Sequence, residues 1–168
     1  NTKYAYSNKG ILNPWYYEIN EIGFNYRISD INCALGISQL KKIEKFKNKR
    51  NKIIRYYEYY LRTIRNKVNI VSNSKSKLVM WHLFVVKIDF DSLSICRSEF
   101  MNYLLKNKIQ TQIHYIPLHL QPAYKTVAFS SLKGTMNYYK DIVSLPLYPS
   151  MSKNDVKYIT SKIIKILK

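Results

Sequence analysis

The stretch from Lys41 to Ile64 constrains this chain more than any other. Ile43, Phe46, Ile53, Tyr57, Tyr60 and Ile64 recur three and four residues apart, with Arg50 in the one gap. That spacing predicts a long helix with one apolar stripe. The other faces carry Lys41, Lys42, Lys45, Lys47, Lys49, Lys52, Arg55, Arg62 and Arg65. From Lys41 to Lys67 there are 11 basic and 2 acidic residues, so half of the formal charge of +18 sits in this one segment.

Such a segment admits two readings. A nucleic-acid-binding module would set the cations on phosphates and stack bases on Tyr56, Tyr57, Tyr59 and Tyr60. A solvated helix would instead lay its Tyr and Ile stripe on its own domain. The charges ring the helix and form no single stripe, and no recognised nucleic-acid module accompanies them, which favours the second reading. Lys occurs 22 times, Ile 21 times and Asn 15 times. All three have A/T-rich codons, so genome bias and selection for an anionic partner both stay open as the source of the charge. Either way the surface favours phosphates, on nucleic acid or on a small molecule.

A chain of 168 residues is one domain, or one with a satellite. It is long enough to bury on the order of 70% of its unfolded surface, so it needs no covalent or metal staples. Two cysteines, Cys33 and Cys96, exclude a disulfide-dense scaffold. Cys33 has apolar helical neighbours and reads as packing. The longest uncharged run, Ile109 to Tyr124, is broken by glutamines, histidines and prolines and is no membrane span. The chain opens without Met and without a signal-peptide pattern. The expectation is a soluble cytoplasmic protein whose sequence begins inside a larger unit.

Along the chain, Asn1 to Ile22 reads as loop, with a turn at Asn13-Pro14 and an aromatic knot at Trp15-Tyr16-Tyr17. Ser29-Asp30 is a helix start before Ile31, Ala34, Leu35 and Ser38 at helical spacing. Val68 to Lys77 is polar and reads as loop. Leu78 to Ile88 reads as a strand. Arg97 to Asn107 reads as a helix, and Ile109 to Tyr115 alternates like a half-buried strand. Met136 to Val143 predicts a short helix ended by Ser144-Leu145-Pro146. Ser152 and Asp155 predict a capping box opening a last helix, whose apolar face is Val156, Ile159, Ile163, Ile166 and Leu167. The second half is thus expected to be a small α+β layer, with helices on one sheet face.

Few residues offer chemistry. His114 and His119 flank Pro117 but lack a nearby third ligand, so no metal site is expected. His82, within the predicted strand, reads as a core histidine. No Gly-rich phosphate loop or nucleophile elbow occurs. The strongest local signal is Gly23 to Lys42. Gly23 permits a tight turn, and Asn25 and Arg27 project donors beside a helix start, an anion-binding corner. The bland alternative is a capped helix start with a solvated Arg27.

The segment Gly23-Phe24-Asn25-Tyr26-Arg27-Ile28-Ser29-Asp30-Ile31, continuing through Gln39-Leu40, closely resembles the signature block of the DegT/DnrJ/EryC1/StrS sugar aminotransferases. Trp15 to Ile19 precedes it as in that family. His82-Leu83-Phe84-Val85-Val86, Ile113 to His119 and Ser144-Leu145-Pro146 resemble later landmarks, so the likeness runs along nearly the whole chain. Within the family it leans towards the enzymes of pseudaminic acid synthesis.

The resemblance implies an α/β, aspartate-aminotransferase-like fold, of which this chain is the C-terminal portion. Residues 1–40 would end the large pyridoxal phosphate (PLP) domain, 41–67 would be a connecting helix, and 68–168 a small C-terminal α/β domain. It implies PLP as cofactor, an amino donor such as glutamate, a UDP-4-keto-6-deoxy sugar destined for surface glycan or flagellin, and a homodimer. The family's Schiff-base lysine lies upstream of the matched block, so no catalytic residue is expected in this chain, which alone is expected to be inactive. Asn25 and Arg27 match positions at the cofactor phosphate. His114 and Tyr115, and less definitely His82, match positions near the nucleotide-sugar site. The competing expectation is a non-catalytic remnant or a basic interaction module. No membrane is expected as a partner, and nucleic acid is disfavoured.

Overall fold

In the computed structural model, Ile53, Ile54 and Tyr57 are buried within little more than one helical turn, and the core starts there. The residues described are 23–72, 79–124 and 131–168, together with Ala5. The aromatic knot at Trp15 to Tyr17 and the turn at Asn13-Pro14 lie outside them. The chain forms two units, Asn1–Leu40 and Lys41–Lys168.

In the first unit, helix α1 spans Asp30–Leu40 and buries none of its residues. Ser29 Oγ accepts from the Asn32 amide at 3.4 Å, the contact expected of an N-cap. Phe24 and Tyr26 meet edge to face. Gly23 makes no use of a glycine's conformational freedom. Its φ is not left-handed, and a Cβ there would meet nothing within 4 Å. Cys33 is half-buried and unpaired.

The second unit begins with α2, Ile43–Tyr60, which tightens into a 3-10 turn at Leu61–Ile64. The long helix is present, but its buried stripe is displaced from the predicted one. Ile53, Ile54, Tyr57, Leu61 and Ile64 are buried, while Ile43 is 41% exposed. The reason is where the partner helix starts. Helix α5, Lys153–Leu167, packs along α2 with its first residue sharing a recess with Lys49, Lys52, Ile53 and Tyr56, and with the Leu167 carbonyl accepting from Lys67 Nζ. The basic first turns of α2 are left in solvent. Tyr57 stacks on Phe84 with ring centroids 4.3 Å apart. Tyr56 and Tyr60 pack on the core, and only Tyr59 of the four tyrosines is exposed, with the Arg62 guanidinium over its ring. A row of stacking tyrosines is therefore absent, because three of the four rings serve the core.

Among the described residues, three strands form an antiparallel sheet in the order β1-β2-β3: Val68–Ile70, Phe84–Ile88 and Ile142–Leu145. The register pairs Val68 with Ile88 and Phe84 with Leu145. Phe84, Val86, Ile88, Val143 and Leu145 share one core with α2, α3 (Arg97–Lys106) and α5. Val85, Ile142 and Ser144, at the alternate positions, are buried too. Lys87 meets Asp141 at 3.7 Å.

Four sequence readings need correction. Val68 to Ile70 is a strand although its segment reads as loop, since three residues are too few to display a period of two. Of the segment read as a strand, only Phe84–Ile88 is one; the described residues 79–83 are outside it. Ser72 Oγ there donates to the Leu83 carbonyl and accepts from the Val85 amide, ending the β1 side of the ladder. Ile109 to Tyr115 is not a strand. It makes one bridge, Gln112 to Ser144, before His114 turns to the Ser144 side chain. Finally, α4 covers Lys133–Asp141, and the apolar run after it is β3. All four β3 residues are buried, so the strand shows no alternation to read.

The helix ends are chemically specified. Ser152 Oγ accepts from the Asp155 amide at 3.2 Å, and the Asp155 carboxylate accepts from the Ser152 amide at 2.7 Å, the predicted capping box. These bonds hold the Asp155 carboxyl below its ordinary range. Glu99 does the same for Cys96 at α3. Helix α3 closes with the Lys108 amide on the Leu105 carbonyl and the Ile109 amide on that of Leu104. That is a Schellman motif, with Leu104 and Ile109 buried as its hydrophobic pair.

Candidate functional site

Two places in the chain offer a ligand polar groups in a defined arrangement. The first, in the Asn1–Leu40 unit, is the Asn25-Tyr26-Arg27 corner. The Arg27 amide donates to the Asn25 carbonyl at 2.8 Å, and Arg27 Nε donates to Asn25 Oδ1 at 3.2 Å. The bond orients both side chains while leaving the Asn25 Nδ2 and the two Arg27 Nη groups as donors. Both residues are exposed. This donor set suits phosphate oxygens. The helix start beside them is less open than its dipole suggests, because Ser29 already occupies the Asn32 amide and Asp30 brings a carboxylate.

The second, in the Lys41–Lys168 unit, is a cleft of about 580 Å³, a size that accommodates a small organic ligand. Its walls come from His82, the Lys108 to Gln112 turn, His114, Ser144 to Tyr148, and the Asp155, Tyr158 and Ile159 face of α5. The arrangement follows from the core behind it. Tyr57 donates from its hydroxyl to the Pro146 carbonyl at 2.9 Å. Arg50 Nη1 donates to the carbonyls of Leu147 at 2.9 Å, His82 at 3.1 Å and Trp81 at 3.4 Å. Two α2 side chains thus pin both rims of the cleft. Burial raises the Tyr57 hydroxyl well above the ordinary tyrosine range, with smaller contributions from Tyr148 and Asp155, and lowers the Arg50 guanidinium below its ordinary value.

Within the cleft, His114 Nδ1 lies 2.8 Å from Ser144 Oγ. The Tyr115 ring stands perpendicular to that imidazole at 4.7 Å, is 72% exposed, and lines an adjoining smaller recess of about 360 Å³ with Gln121 and Tyr139. His82 is exposed and precedes β2, so it is not the core histidine that its apolar neighbours suggest.

Of the predicted positions, then, His82 and His114 share one cleft, Tyr115 borders it, and Asn25 and Arg27 are paired in the other unit. Sequence reasoning missed Arg50, Tyr57 and Ser144. Arg50 stood out as the polar residue in an apolar stripe, and a gap of that kind signals a buried hydrogen-bonding task. Among the described residues no three His, Cys, Asp or Glu side chains gather to hold a metal, and no helix is long and apolar enough to cross a membrane.

The profile of the DegT/DnrJ/EryC1/StrS aminotransferase family matches residues 2–164, and the chain belongs to that family. The family is PLP-dependent, and the fold is the α/β fold of PLP aminotransferases. The chain is 33% identical over 167 residues to the spore coat polysaccharide biosynthesis protein SpsC of Bacillus subtilis, covering 97% of this chain and 42% of SpsC. It is 31% identical over 156 residues to a UDP-4-amino-4,6-dideoxy-N-acetyl-beta-L-altrosamine transaminase of Campylobacter jejuni, covering 91% and 40%. Among solved structures it superposes on PseC of Helicobacter pylori, an aminotransferase of pseudaminic acid biosynthesis. The TM-score is 0.75 at 23% identity, over 92% of this chain and 42% of PseC. The chain therefore spans about two fifths of the length of these relatives.

Proposed function

We propose that the chain serves a PLP-dependent nucleotide-sugar aminotransferase as its C-terminal portion. In this reading residues 1–40 end the large PLP domain, 41–67 connect, and 68–168 form the small domain. Asn25 Nδ2 and the Arg27 guanidinium hold the phosphate of PLP, while a lysine outside this chain holds the ring. His114, with Tyr115 and His82 at the borders, faces the substrate, a UDP-linked 4-keto-6-deoxy sugar, and glutamate is the amino donor. The enzyme is a cytoplasmic homodimer feeding surface-polysaccharide or flagellin glycosylation, and the 168-residue chain alone is inactive.

The observation that carries this reading is the cleft at His114, built in a chain whose family is defined by amino transfer to sugars. PLP, when bound, supplies the electron sink for moving the amino group. The residues here orient the phosphate and the substrate. The test uses the protein as purified from its own cells. Glutamate should bleach the visible band of its bound cofactor, and a UDP-linked 4-keto-6-deoxy sugar should restore it. A cofactor band indifferent to every amino donor would overturn the proposal.

A further inference from the structure

Ser144 is 5% exposed and sits in the middle of β3. Its backbone is fully used in a rung with Gln112, the Ser144 amide donating at 2.8 Å and the Gln112 amide at 3.2 Å. Its hydroxyl has one partner among the described residues, His114 Nδ1 at 2.8 Å. Two arrangements could satisfy that distance. If His114 carried its proton on Nδ1, it would donate to Oγ, and the serine proton would have no acceptor among the described residues. A largely buried donor without a protein acceptor is disfavoured. If the serine hydroxyl donates, Nδ1 accepts, and both the buried hydroxyl proton and the Nδ1 lone pair have a partner. The neutral imidazole then carries its proton on Nε2.

We propose that Ser144 is a positioning residue for His114, holding the ring in the Nε2–H form so that the cleft meets a fixed hydrogen-bond donor. The inference rests on the reading of this cleft as a substrate site and deepens it. The group recognised is an acceptor oxygen of the nucleotide part of the substrate, and a histidine free to tautomerise would offer that oxygen a lone pair part of the time. The register explains why β3 carries the hydroxyl. Gln112 and Ser144 are directly opposed in an antiparallel bridge, and such partners project to the same side of a sheet. His114, two residues beyond Gln112, returns to that side and meets the hydroxyl. A leucine or valine at position 144 would keep the strand buried and leave the imidazole unheld.

The experiment is a nitrogen–proton correlation spectrum of the histidine rings in the 15N-labelled 168-residue chain at mildly alkaline pH. Wild type should show His114 in a single Nε2–H form. Ser144→Thr, which keeps the hydroxyl, should preserve it. Ser144→Ala should give a mixture of the two forms while the spectra of His82 and His119 stay put, which also reports that the fold persists. An Nδ1–H form in the wild type, or a His114 pattern unchanged in Ser144→Ala, would refute the positioning role. A second arm adds UDP to the same samples. A shift of the His114 Nε2 signal in wild type that shrinks several-fold in Ser144→Ala supports the donor role. No shift with an intact Nε2–H form overturns the donor role and the substrate reading of the cleft, and leaves the Ser144–His114 geometry itself standing.

Discussion

Tyr57 shows how one side chain ties core to site. Its ring is fully buried on Phe84 and its hydroxyl reaches the Pro146 carbonyl on the cleft rim. Tyr57→Phe removes that bond at little cost in packing. The expected loss is about 1 kcal/mol, a fall in Tm of roughly 2–4 °C. The residue also sets a pH limit. The unfolded tyrosine loses its proton near pH 10, whereas burial keeps the folded hydroxyl protonated well beyond that. The unfolded state therefore binds fewer protons above about pH 10, and stability falls as pH rises through that region while being unaffected below it. Denaturant midpoints measured across that range should decline less steeply in Tyr57→Phe. An equal decline would remove the role given to this hydroxyl. Arg50 is the polar counterpart: one guanidinium nitrogen serves three carbonyls, so its place in an apolar stripe is a bonding requirement and adds nothing to a phosphate-binding face.

At the scale of elements, the end of α3 carries a testable strain. Lys108 has φ 60°, the left-handed region that costs a side-chain-bearing residue about 1–2 kcal/mol and costs glycine almost nothing. After allowance for the looser unfolded chain, Lys108→Gly should raise stability by about 0.5–1 kcal/mol. Lys108→Ala should give no such gain. Equal effects of the two in a thermal melt would show that the Schellman turn is not the source.

The same scale explains what could be read from sequence. Helices α2 and α5 were legible because each repeats its apolar residues over three turns or more, α3 through the shorter set Phe100, Met101, Leu104 and Leu105, and α5 also because Ser152 and Asp155 announce it. Strands β1 and β3 were not, having three and four residues and, in β3, no exposed position. Their identity comes from pairing with β2, which is a long-range fact. For the site, the histidines were visible as residue types. Ser144 was visible only as part of a Ser-Leu-Pro segment, because its task depends on a rung with Gln112 that no local pattern predicts. The displaced stripe of α2 has the same origin, since the point on α2 at which α5 begins decides how far burial extends.

For the whole molecule, the exposed residues of the Asn1–Leu40 unit and the paired strands of the Lys41–Lys168 unit have different characters. The first carries Phe24, Tyr26, Ile28, Ile31, Leu35 and Leu40 in solvent, all more than half exposed. Surfaces of that kind belong to interfaces, consistent with a chain that spans about two fifths of its relatives. The second encloses its own core and the cleft. Residues 1–40 hold three basic and three acidic residues, so the charge of +18 sits in the Lys41–Lys168 unit, whose surface suits phosphate-bearing ligands and steers them at low salt more than at high.

The central claim is that this chain works as the phosphate- and substrate-holding portion of a PLP enzyme whose Schiff-base lysine lies elsewhere. It is tested most directly by reducing the protein purified from its own cells with borohydride and mapping the pyridoxyl-modified peptide by mass spectrometry. The account predicts one stoichiometric pyridoxyl-lysine at a position that is none of the 22 lysines of this sequence. A stoichiometric adduct on one of those 22, or no pyridoxyl-lysine at all, would contradict it.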